Sequence, residues 1–265
     1  MTFDEFLRQA CPPLDLEWRK YRRRAARHRV QKRLRELGLT DYAAYLERLQ
    51  SDPREAASLA DRMRISVTRF FREQDRWQLL AEAVLPCLLA ARKPDTPLRA
   101  WSAGCAGGEE PYTLAILWRS QILPHYPDRQ LQILATDIDP PSLQRAEVAR
   151  YPPGELREVP TAVRESFFRQ HAGFWSPLPE VTAMVQFTCH NLLTDPSPGT
   201  FDLICCRYLP FTYFRCQRRL NAASTLHQAL AADGALMIGG KEDLGSATPL
   251  FTPWPQAPGF FRRGG

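Results

Sequence analysis

The stretch R-A-W-S-A-G-C-A-G-G-E-E-P-Y-T-L-A-I, residues 99–116, decides the fold of this 265-residue chain. An apolar strand at Leu98–Trp101 leads into a turn rich in glycine, and from Glu109 onward the apolar spacing is that of a helix. In an α/β sheet a ligand binds at the carboxyl end of such a strand, over the N-terminus of the next helix. Many glycine turns bind nothing, so this stretch alone predicts only a candidate nucleotide site.

An acidic residue, Asp137, closes the next apolar run, L-Q-I-L-A-T-D-I-D. A carboxylate in this place can accept hydrogen bonds from both hydroxyls of a ribose. The glycine turn lacks the spaced G-x-G-x-x-G of dinucleotide-binding proteins. The turn and Asp137 together therefore predict a site for a ligand that contains a ribose.

Further along the chain, candidate strands alternate with helices, which predicts a doubly wound α/β sheet. The predicted strands are Leu98–Trp101, Leu131–Thr136, Val185–His190, Phe201–Cys205 and Ala235–Gly239. A long helix is predicted before them, over about 74–92. Residues 151–184 carry several prolines and short apolar pieces, as an inserted loop or small β subdomain would. The tail beyond Lys241 is expected to add one last edge strand.

The composition, with 44% hydrophobic and 24% charged residues, is that of an ordinary globular protein. No apolar run approaches the roughly 18 residues of a membrane span, and the first residues do not resemble a signal peptide. We therefore expect a cytoplasmic protein without membrane insertion. The seven cysteines form no C-x-x-C pair, which favours buried free thiols over disulfides or a metal site.

Most of the net charge of +6 lies in residues 1–64, which hold 15 Lys and Arg against 10 Asp and Glu. Residues 19–35 contain ten basic residues and no acidic one, and the sparse apolar positions Tyr21, Ala25, Val30 and Leu34 favour a helix with a broad cationic face. Gly38 ends this helix, and two more helices follow, the last over Pro53–Arg64. The sequence thus predicts a helical domain with its linker at 1–72 and a second domain at 73–265.

The basic run of residues 19–35 has two interpretations. It is either a solvated face or a docking surface for an acidic partner, which could be nucleic acid, anionic lipid or an acidic protein helix. No recognised DNA-binding or RNA-binding motif accompanies the charge, so nucleic acid is the weakest of these choices.

Several motifs in order resemble the chemoreceptor methyltransferases of bacterial chemotaxis, the CheR type. They are R-L-R-E-L-G-L-T-D-Y-A-A-Y-L-E-R-L, S-V-T-R-F-F-R-E, W-S-A-G-C-A-G-G-E-E-P-Y-T-L-A-I, A-T-D-I-D, H-N-L-L, F-D-L-I-C-C-R and T-Y-F. The resemblance covers most of the chain. It implies a class I S-adenosylmethionine-dependent methyltransferase fold, a Rossmann-like doubly wound sheet with a small N-terminal helical domain and a short inserted β subdomain. It also implies that the basic helix contacts the helices of a receptor.

The resemblance implies cofactor contacts for five residues of the second domain. Ala103 and Glu109 would line the methionine and sulfonium end of S-adenosylmethionine, whose product is S-adenosylhomocysteine. Asp137 would hold the ribose. Asn191 and Leu192 would meet the edge and the face of the adenine.

Five more residues would complete the site by the same resemblance. Thr68 and Arg72 would close the pocket from the linker side, and Arg207 would lie near the cofactor. Tyr208 follows Arg207 on the cofactor side, where the family usually has Asn. Tyr213 corresponds to a tyrosine near the transferred methyl, although its ring could instead be an ordinary core residue.

The chemistry of methyl transfer to a glutamate agrees with these residues. A glutamate side chain is ionised at neutral pH, since its ordinary pKa is about 4.3, so no general base is required. Arg72, as a fixed cation, could orient a carboxylate of the substrate or of the cofactor, and Tyr213 could donate a hydrogen bond beside it. Arg72 and Tyr213 are therefore the predicted catalytic residues.

The chain departs from the family on the acceptor side of the predicted pocket. Tyr208 replaces the usual Asn, the segment from Arg207 to Tyr213 is one residue longer, and G-K-E around Lys241 replaces H-S-E. The first hypothesis is O-methylation of glutamates on a receptor-like, acidic helical protein. The alternatives are a methyltransferase of the same fold that acts on a small molecule or another protein, and a non-catalytic scaffold that retains the cofactor.

Overall fold

The structure is a computed structural model, and it describes residues 1–63 and 68–264. It divides into two compact units. The helical unit comprises Met1–Ile65 and Tyr208–Leu220, and the sheet unit comprises Ser66–Arg207 and Asn221–Gly265. The predicted end of the third helix at Arg64 and the start of the predicted linker at 65–67 lie outside the described residues. The domain boundary at 72/73 stays a prediction.

The described residues form helices and strands in the following order along the chain. The helices are α1 (Phe3–Ala10), α2 (Arg23–Glu36), α3 (Tyr42–Ser51), α4 (Pro53–Arg62), α5 (Gln74–Leu79), α6 (Leu85–Ala90), α7 (Glu109–Leu117), α8 (Pro140–Val148), α9 (Thr161–Phe167), α10 (Pro179–Thr182), α11 (Pro210–Tyr213) and α12 (Cys216–Ala229). The strands are β1 (Leu98–Ala103), β2 (Leu131–Asp137), β3 (Phe168–His171), β4 (Phe174–Pro177), β5 (Val185–Cys189), β6 (Phe201–Cys205), β7 (Leu230–Met237), β8 (Phe251–Pro253) and β9 (Phe260–Arg263).

The basic helix of the helical unit, α2, is shorter than predicted. A short 3-10 turn, Trp18–Lys20, precedes it, and the helix itself begins at Arg23. It buries Ala26, Val30 and Leu34, whereas the predicted position Ala25 is only half-buried. The spacing of four residues between the buried positions is that of one helical face, so the remaining faces carry the charges.

A buried carboxylate joins three helices of the helical unit. Glu55 of α4 is 5% exposed, and it accepts hydrogen bonds from Arg33 Nε of α2 at 3.0 Å and from the hydroxyl of Tyr45 of α3 at 2.7 Å. The Tyr45 ring stacks on Phe6 of α1 with centroids 5.6 Å apart. Arg33 is therefore a structural residue of the basic helix, because its charge neutralises a buried acid.

The residues at 208–220 join the helical unit through its N-terminal segment, which the sequence did not predict. The Glu17 N–H donates to the Tyr213 carbonyl at 2.8 Å, and the Arg215 N–H donates to the Asp15 carbonyl at 2.9 Å. Leu16 forms an antiparallel bridge with Phe214. These are contacts between residues about 200 positions apart, which no local sequence pattern reveals.

The sheet unit is built on seven strands in the order β5-β2-β1-β6-β7-β9-β8. The first five strands in this order are parallel to their neighbours, and β9 runs antiparallel to both β7 and β8. The central strand β6 is buried along its whole length, and four of its five residues are apolar. This is the predicted doubly wound sheet, and helices connect most of the parallel strands.

The tail and the fifth parallel strand differ in detail from the prediction, whereas residues 151–184 contain β structure as expected. The tail beyond Lys241 forms two antiparallel strands, β8 and β9, where one was expected. The fifth parallel strand, predicted at Ala235–Gly239, is β7 at Leu230–Met237. Within 151–184 the structure has a two-stranded hairpin, β3 with β4, flanked by the short helices α9 and α10.

The predicted long helix before β1 is continuous from Gln74 to Ala90, with one π-helical turn at Leu80–Val84 between α5 and α6. Its buried face joins the large hydrophobic core of the sheet unit through residues such as Trp77 and Leu80. Throughout the described part of the chain, no helix has both the length and the apolar character needed to cross a membrane.

Candidate functional site

The candidate site lies at the carboxyl edge of the parallel strands in the sheet unit. From β1 the chain proceeds to β2 and β5 on one side, and then to β6 and β7 on the other side. The strand order therefore reverses between β1 and β6, and a crevice forms outside their carboxyl ends. The glycine turn follows β1 directly, and Arg207 follows β6 by two residues.

Backbone hydrogen bonds hold the glycine turn against the end of β2. The N–H groups of Gly104 and Cys105 both donate to the Thr136 carbonyl at 2.8 Å. Gly104 and Gly108 have φ of 80° and 89°, a left-handed conformation that favours glycine. A Cβ atom on Gly108 would also lie 2.8 Å from the Cβ of Ala146, so α8 packs too closely for any side chain there.

Asp137 lies at the end of β2 and contacts the glycine turn. Its Oδ2 accepts the Ala106 N–H at 2.9 Å, and its Oδ1 accepts the Asp139 N–H at 3.0 Å. A carboxylate oxygen can accept more than one hydrogen bond. These two hydrogen bonds from the backbone hold the Asp137 side chain in place.

The predicted adenine-binding residues begin beside Asp137. The His190 N–H donates to the Asp137 carbonyl at 3.1 Å, and the loop after β5 starts there. Asn191 is held within this loop, because its N–H donates to Asp195 Oδ2 at 2.8 Å and its Oδ1 accepts the Leu193 N–H at 3.1 Å. Leu192 is buried. The structure thus brings Ala103, Asp137, Asn191 and Leu192 to one edge of the sheet.

A buried ionic cluster links the start of α7 to the end of β6. Glu110 accepts a hydrogen bond from Ser102 Oγ of β1 at 2.8 Å, and its Oε2 lies 3.5 Å from Arg207 Nη1. The Arg207 side chain is 3% exposed. Burial raises the pKa of Glu110, and the positive charge of Arg207 opposes that shift. Glu110 was not among the predicted site residues.

Glu109, which was predicted to contact the cofactor, lies in a different buried cluster. It is fully buried and forms an ion pair with Arg145 of α8, which also lies 3.3 Å from Glu155 Oε1. Burial raises the pKa of Glu109 to about 8, and the nearby Glu155 carboxylate adds to the shift while Arg145 opposes it. Successive helical residues point about 100° apart, which is why two adjacent glutamates enter different clusters.

The segment Thr68–Glu73 packs against the rest of the sheet unit on two sides. The Phe71 N–H donates to Thr113 Oγ1 at 3.1 Å, and Arg69 forms an ion pair with Glu158 at 2.7 Å. The Phe70 ring is fully buried against Tyr151, edge to face, with centroids 4.8 Å apart. Arg72 follows these anchors, and its carbonyl accepts a hydrogen bond from Arg207 Nη2 at 2.7 Å.

Two predicted site residues, Tyr208 and Tyr213, belong to the helical unit. Tyr208 has a φ of 57°, which is uncommon for a bulky residue. The Tyr213 ring lies against Tyr21 with centroids 5.1 Å apart. The roles of both tyrosines in the site stay predictions.

Cys105 lies in the glycine turn, and His190 lies next to Asp137. Burial raises the pKa of the Cys105 thiol well above the ordinary value. The His190 ring is bonded through Nε2 to the Pro196 carbonyl at 2.9 Å. Within 1–63 and 68–264, no group of three or more metal-binding side chains is close enough to hold an ion. Cys87, Cys189 and Cys216 are exposed, so the expectation of buried thiols is wrong for these three.

The side chains at this edge fit S-adenosylmethionine. Asp137 can accept hydrogen bonds from hydroxyl groups, Leu192 offers a buried apolar surface, and Glu110 provides a carboxylate that is 12% exposed near the glycine turn. A parallel sheet of this order, with a glycine turn after the first strand and an acid after the second, defines the class I S-adenosylmethionine-dependent methyltransferases.

Comparison with known proteins identifies the family. The model of the CheR methyltransferase S-adenosylmethionine-binding domain matches residues 66–259, and that of the CheR all-alpha domain matches residues 16–63. The chain belongs to the CheR methyltransferase family. It is an S-adenosylmethionine-dependent methyltransferase by class, and S-adenosylmethionine is its cofactor.

The proteins that are similar to this chain include two sequence relatives and one solved structure. The chain is 31% identical to a chemotaxis protein methyltransferase of Listeria innocua, over 90% of this chain and 88% of that protein. It is 36% identical to an uncharacterized 104.1 kDa protein of Rhodobacter capsulatus over 84% of this chain, and it spans only 23% of that protein's length. The N-methyltransferase NodS of Bradyrhizobium japonicum, solved with S-adenosylhomocysteine, has a TM-score of 0.41 and 16% identity, covering 72% of this chain and 87% of NodS.

The raised pKa of Glu109 predicts a dependence of stability on pH. The folded state binds a proton up to about pH 8 that the unfolded chain releases near pH 4.5, so this contribution to stability is lost as pH rises between those values. The free energy of unfolding should fall by at most about 1.4 kcal/mol per pH unit from this group. Glu109→Gln should remove this slope in urea titrations at pH 5 to 8. Glu165→Gln, an exposed control on α9, should keep it, and parallel curves for Glu109→Gln and wild type would contradict the assignment.

Proposed function

We propose that this methyltransferase transfers the methyl group of S-adenosylmethionine to glutamate carboxylates on a chemoreceptor-like protein. Membership of the CheR methyltransferase family supports this function, and relatives such as the Listeria protein bear the name chemotaxis protein methyltransferase. The observation that carries the proposal is the glycine turn bonded to Asp137 at the switch point of the sheet, beside the Glu110–Arg207 cluster.

The proposed reaction is an in-line displacement. When bound, S-adenosylmethionine supplies a methyl group on a positively charged sulfur. A carboxylate oxygen of the acceptor forms the new bond to this methyl carbon while the carbon–sulfur bond breaks, and the bonding electrons remain on sulfur. The acceptor is already ionised at neutral pH, so the chain needs to supply position and exclusion of water rather than a base.

We assign the cofactor contacts by the placement of the residues. Asp137 accepts the ribose hydroxyls, while Asn191 and Leu192 meet the adenine. Ala103 at the end of β1 and a glutamate of α7 face the methionine end. Glu110 is supported for this last role by its contact with Ser102 and Arg207, whereas Glu109 is paired with Arg145.

The remaining roles concern the acceptor and the closing of the pocket. We propose that Thr68 and Arg72 close the pocket and that Arg72 orients a carboxylate through its fixed charge. Tyr213 is proposed to donate a hydrogen bond near the transferred methyl. Arg207 and Tyr208 lie consecutively in the chain, and Tyr208 replaces a smaller family residue on the acceptor side.

We propose that the exposed face of α2 docks the acidic helices of the partner. Two of its arginines have internal roles, since Arg33 pairs with Glu55 and Arg23 pairs with Asp4 at 2.6 Å. Arg22, Arg24 and Lys32 are exposed. Arg22, Arg24, Arg27 and His28 also line a surface cavity of about 820 Å³ on this helix. A cationic surface of this kind attracts acidic partners at long range.

Methyl ester formation tests the reaction. The protein is mixed with radiolabelled S-adenosylmethionine and fragments of several chemoreceptors, and the labelled product is treated with mild base. We expect receptor-bound label that base releases, because esters hydrolyse readily. A labelled product that survives base, or that is a small soluble molecule, would instead indicate a different acceptor. The replacement of the family's usual Asn by Tyr208 is the reason to consider such an acceptor. No label on any of the receptors would count against the proposal.

Removal of the Asp137 carboxylate should weaken cofactor binding. Asp137→Ala is expected to cost about 1 to 3 kcal/mol in the binding free energy of S-adenosylhomocysteine, through lost hydrogen bonds to the ribose. Titration calorimetry measures this change. Asp128→Ala, in the loop before β2, serves as the control and should bind as the wild type does. Equal affinities for Asp137→Ala and wild type would refute the ribose assignment.

Loss of exposed charge from the basic helix α2 should weaken binding of a protein acceptor and leave cofactor binding unchanged. The triple variant Arg22→Ala, Arg24→Ala and Lys32→Ala is expected to raise KM for a receptor fragment at least about fivefold, since about 0.5 kcal/mol per exposed charge is lost. Its affinity for S-adenosylhomocysteine should not change. Arg54→Ala, an exposed arginine on α4, is the matched control. Unchanged receptor kinetics in the triple variant would remove the docking role of α2.

A further inference from the structure

The backbone on both sides of Arg72 has an unusual conformation. Phe71 has a φ of 53° and Glu73 a φ of 62°, and neither is a glycine. Left-handed conformations are unfavourable for such residues and persist where the surrounding structure enforces them. Two of them flanking the proposed carboxylate-orienting residue indicate that the direction of Arg72 is imposed by its neighbours.

The Arg72 peptide is held by two side chains of the sheet unit. Its carbonyl accepts a hydrogen bond from Arg207 Nη2 at 2.7 Å and a second one from Trp77 Nε1 at 3.0 Å. The Arg207 guanidinium also lies over the Trp77 ring, 5.3 Å from the ring centroid. A carbonyl with both lone pairs occupied has little freedom to rotate.

We call the contacts of Arg207 and Trp77 with the Arg72 carbonyl the carbonyl clamp. Glu73 connects this clamp to a second loop. Its Oε2 accepts from Arg207 Nη2 at 2.7 Å, and its carboxylate also accepts the Gly240 N–H at 3.1 to 3.2 Å. Gly240 lies in the loop after β7. The one carboxylate therefore ties the segment before α5 to the end of β6 and to the end of β7, all at the carboxyl edge of the sheet.

The position of Gly240 agrees with this connection. A Cβ atom added there would lie 3.1 Å from Glu73 Oε1 and 3.2 Å from Arg76 Nε, a tighter approach than side chains normally make. The loop after β7 therefore approaches Glu73 most closely at a residue that has no side chain.

Arg207 has two carboxylate partners at different distances. Its side chain is 3% exposed, and it pairs with Glu73 at 2.7 Å and with Glu110 at 3.5 Å. The shorter contact is the one to Glu73. If Glu73 loses its charge, Glu110 is the remaining carboxylate partner of Arg207, so the guanidinium would shift toward Glu110 and release the Arg72 carbonyl.

We infer that Glu73 is a positioning residue for Arg72: by binding Arg207 and the Gly240 N–H together, it holds the Arg72 peptide in the orientation that binds the carboxylate of the cofactor's methionine part. This inference rests on the role of Arg72 in the proposed function. Glu73 acts through Arg207 and the backbone.

A double-mutant cycle tests the inference. Calorimetry compares S-adenosylhomocysteine binding by wild type, Glu73→Gln, Arg72→Ala and the double variant. Glu73→Gln should weaken binding about tenfold when Arg72 is present, as expected for loss of a charge-assisted hydrogen bond. It should change binding less than about twofold when Arg72 is already Ala, since coupled residues are not additive. Equal losses in both backgrounds would show a general structural role and overturn the inference.

Hydrogen exchange of the free protein tests, without a ligand, whether Glu73 holds the backbone around Arg72. Glu73→Gln and Gly240→Ala should both raise exchange at residues 69–73, while the protection of β1 and β6 remains. Asp75→Asn, an exposed carboxylate two residues away, is the matched control and should leave exchange unchanged. Unchanged exchange in both clamp variants would overturn the inference. A wild-type protein that failed to bind S-adenosylhomocysteine would contradict the proposed function instead, and the exchange result would still decide the role of Glu73.

Discussion

The hydrogen bonds from Gly104 and Cys105 to the Thr136 carbonyl are the constraint on which the site depends. They tie the turn after β1 to the end of β2, so the first residues of α7 and the Asp137 carboxylate have a fixed relation. A glycine turn without this attachment would be a flexible loop. With it, the N-terminus of α7 and the acid of β2 border one crevice at the switch point of the sheet.

Buried charge is the second constraint at this edge. Glu109, Glu110 and Arg207 are all buried or nearly so, and each of the two glutamates contacts an arginine. Buried ion pairs contribute little net stability, because the cost of removing charges from water offsets their attraction. Their effect here is to hold the segments that carry these side chains in fixed positions. Arg207 connects α7, the segment before α5 and the end of β6 through one guanidinium.

The basic residues of helix α2 have two roles: some stabilise the helical unit, and others are proposed to bind an acidic partner. Arg33 and Arg23 neutralise Glu55 and Asp4 within the helical unit, and this pairing removes them from any docking surface. The exposed basic residues remain for an acidic partner. A triple change at Arg22, Arg23 and Arg24 would therefore mix lost docking with lost stability, which is why the informative substitutions avoid Arg23.

The sequence by itself determined the parallel sheet, the glycine turn, the acid after β2 and the basic helix, because each depends on local periodicity or on a short motif. The strand ranges agree closely for β1, β2, β5 and β6, each of which is rich in apolar residues. The family motifs also identified the cofactor class. The roles of individual site residues stay predictions.

Only the tertiary structure decided the contacts between distant segments. It separated Glu109 from Glu110, since one helical step turns neighbouring side chains toward different clusters. It also joined Glu73 to Gly240, and it placed 208–220 with the N-terminal helices. These pairings join residues up to about 200 positions apart, and they depend on chain topology and side-chain packing, neither of which leaves a periodic signal in the sequence.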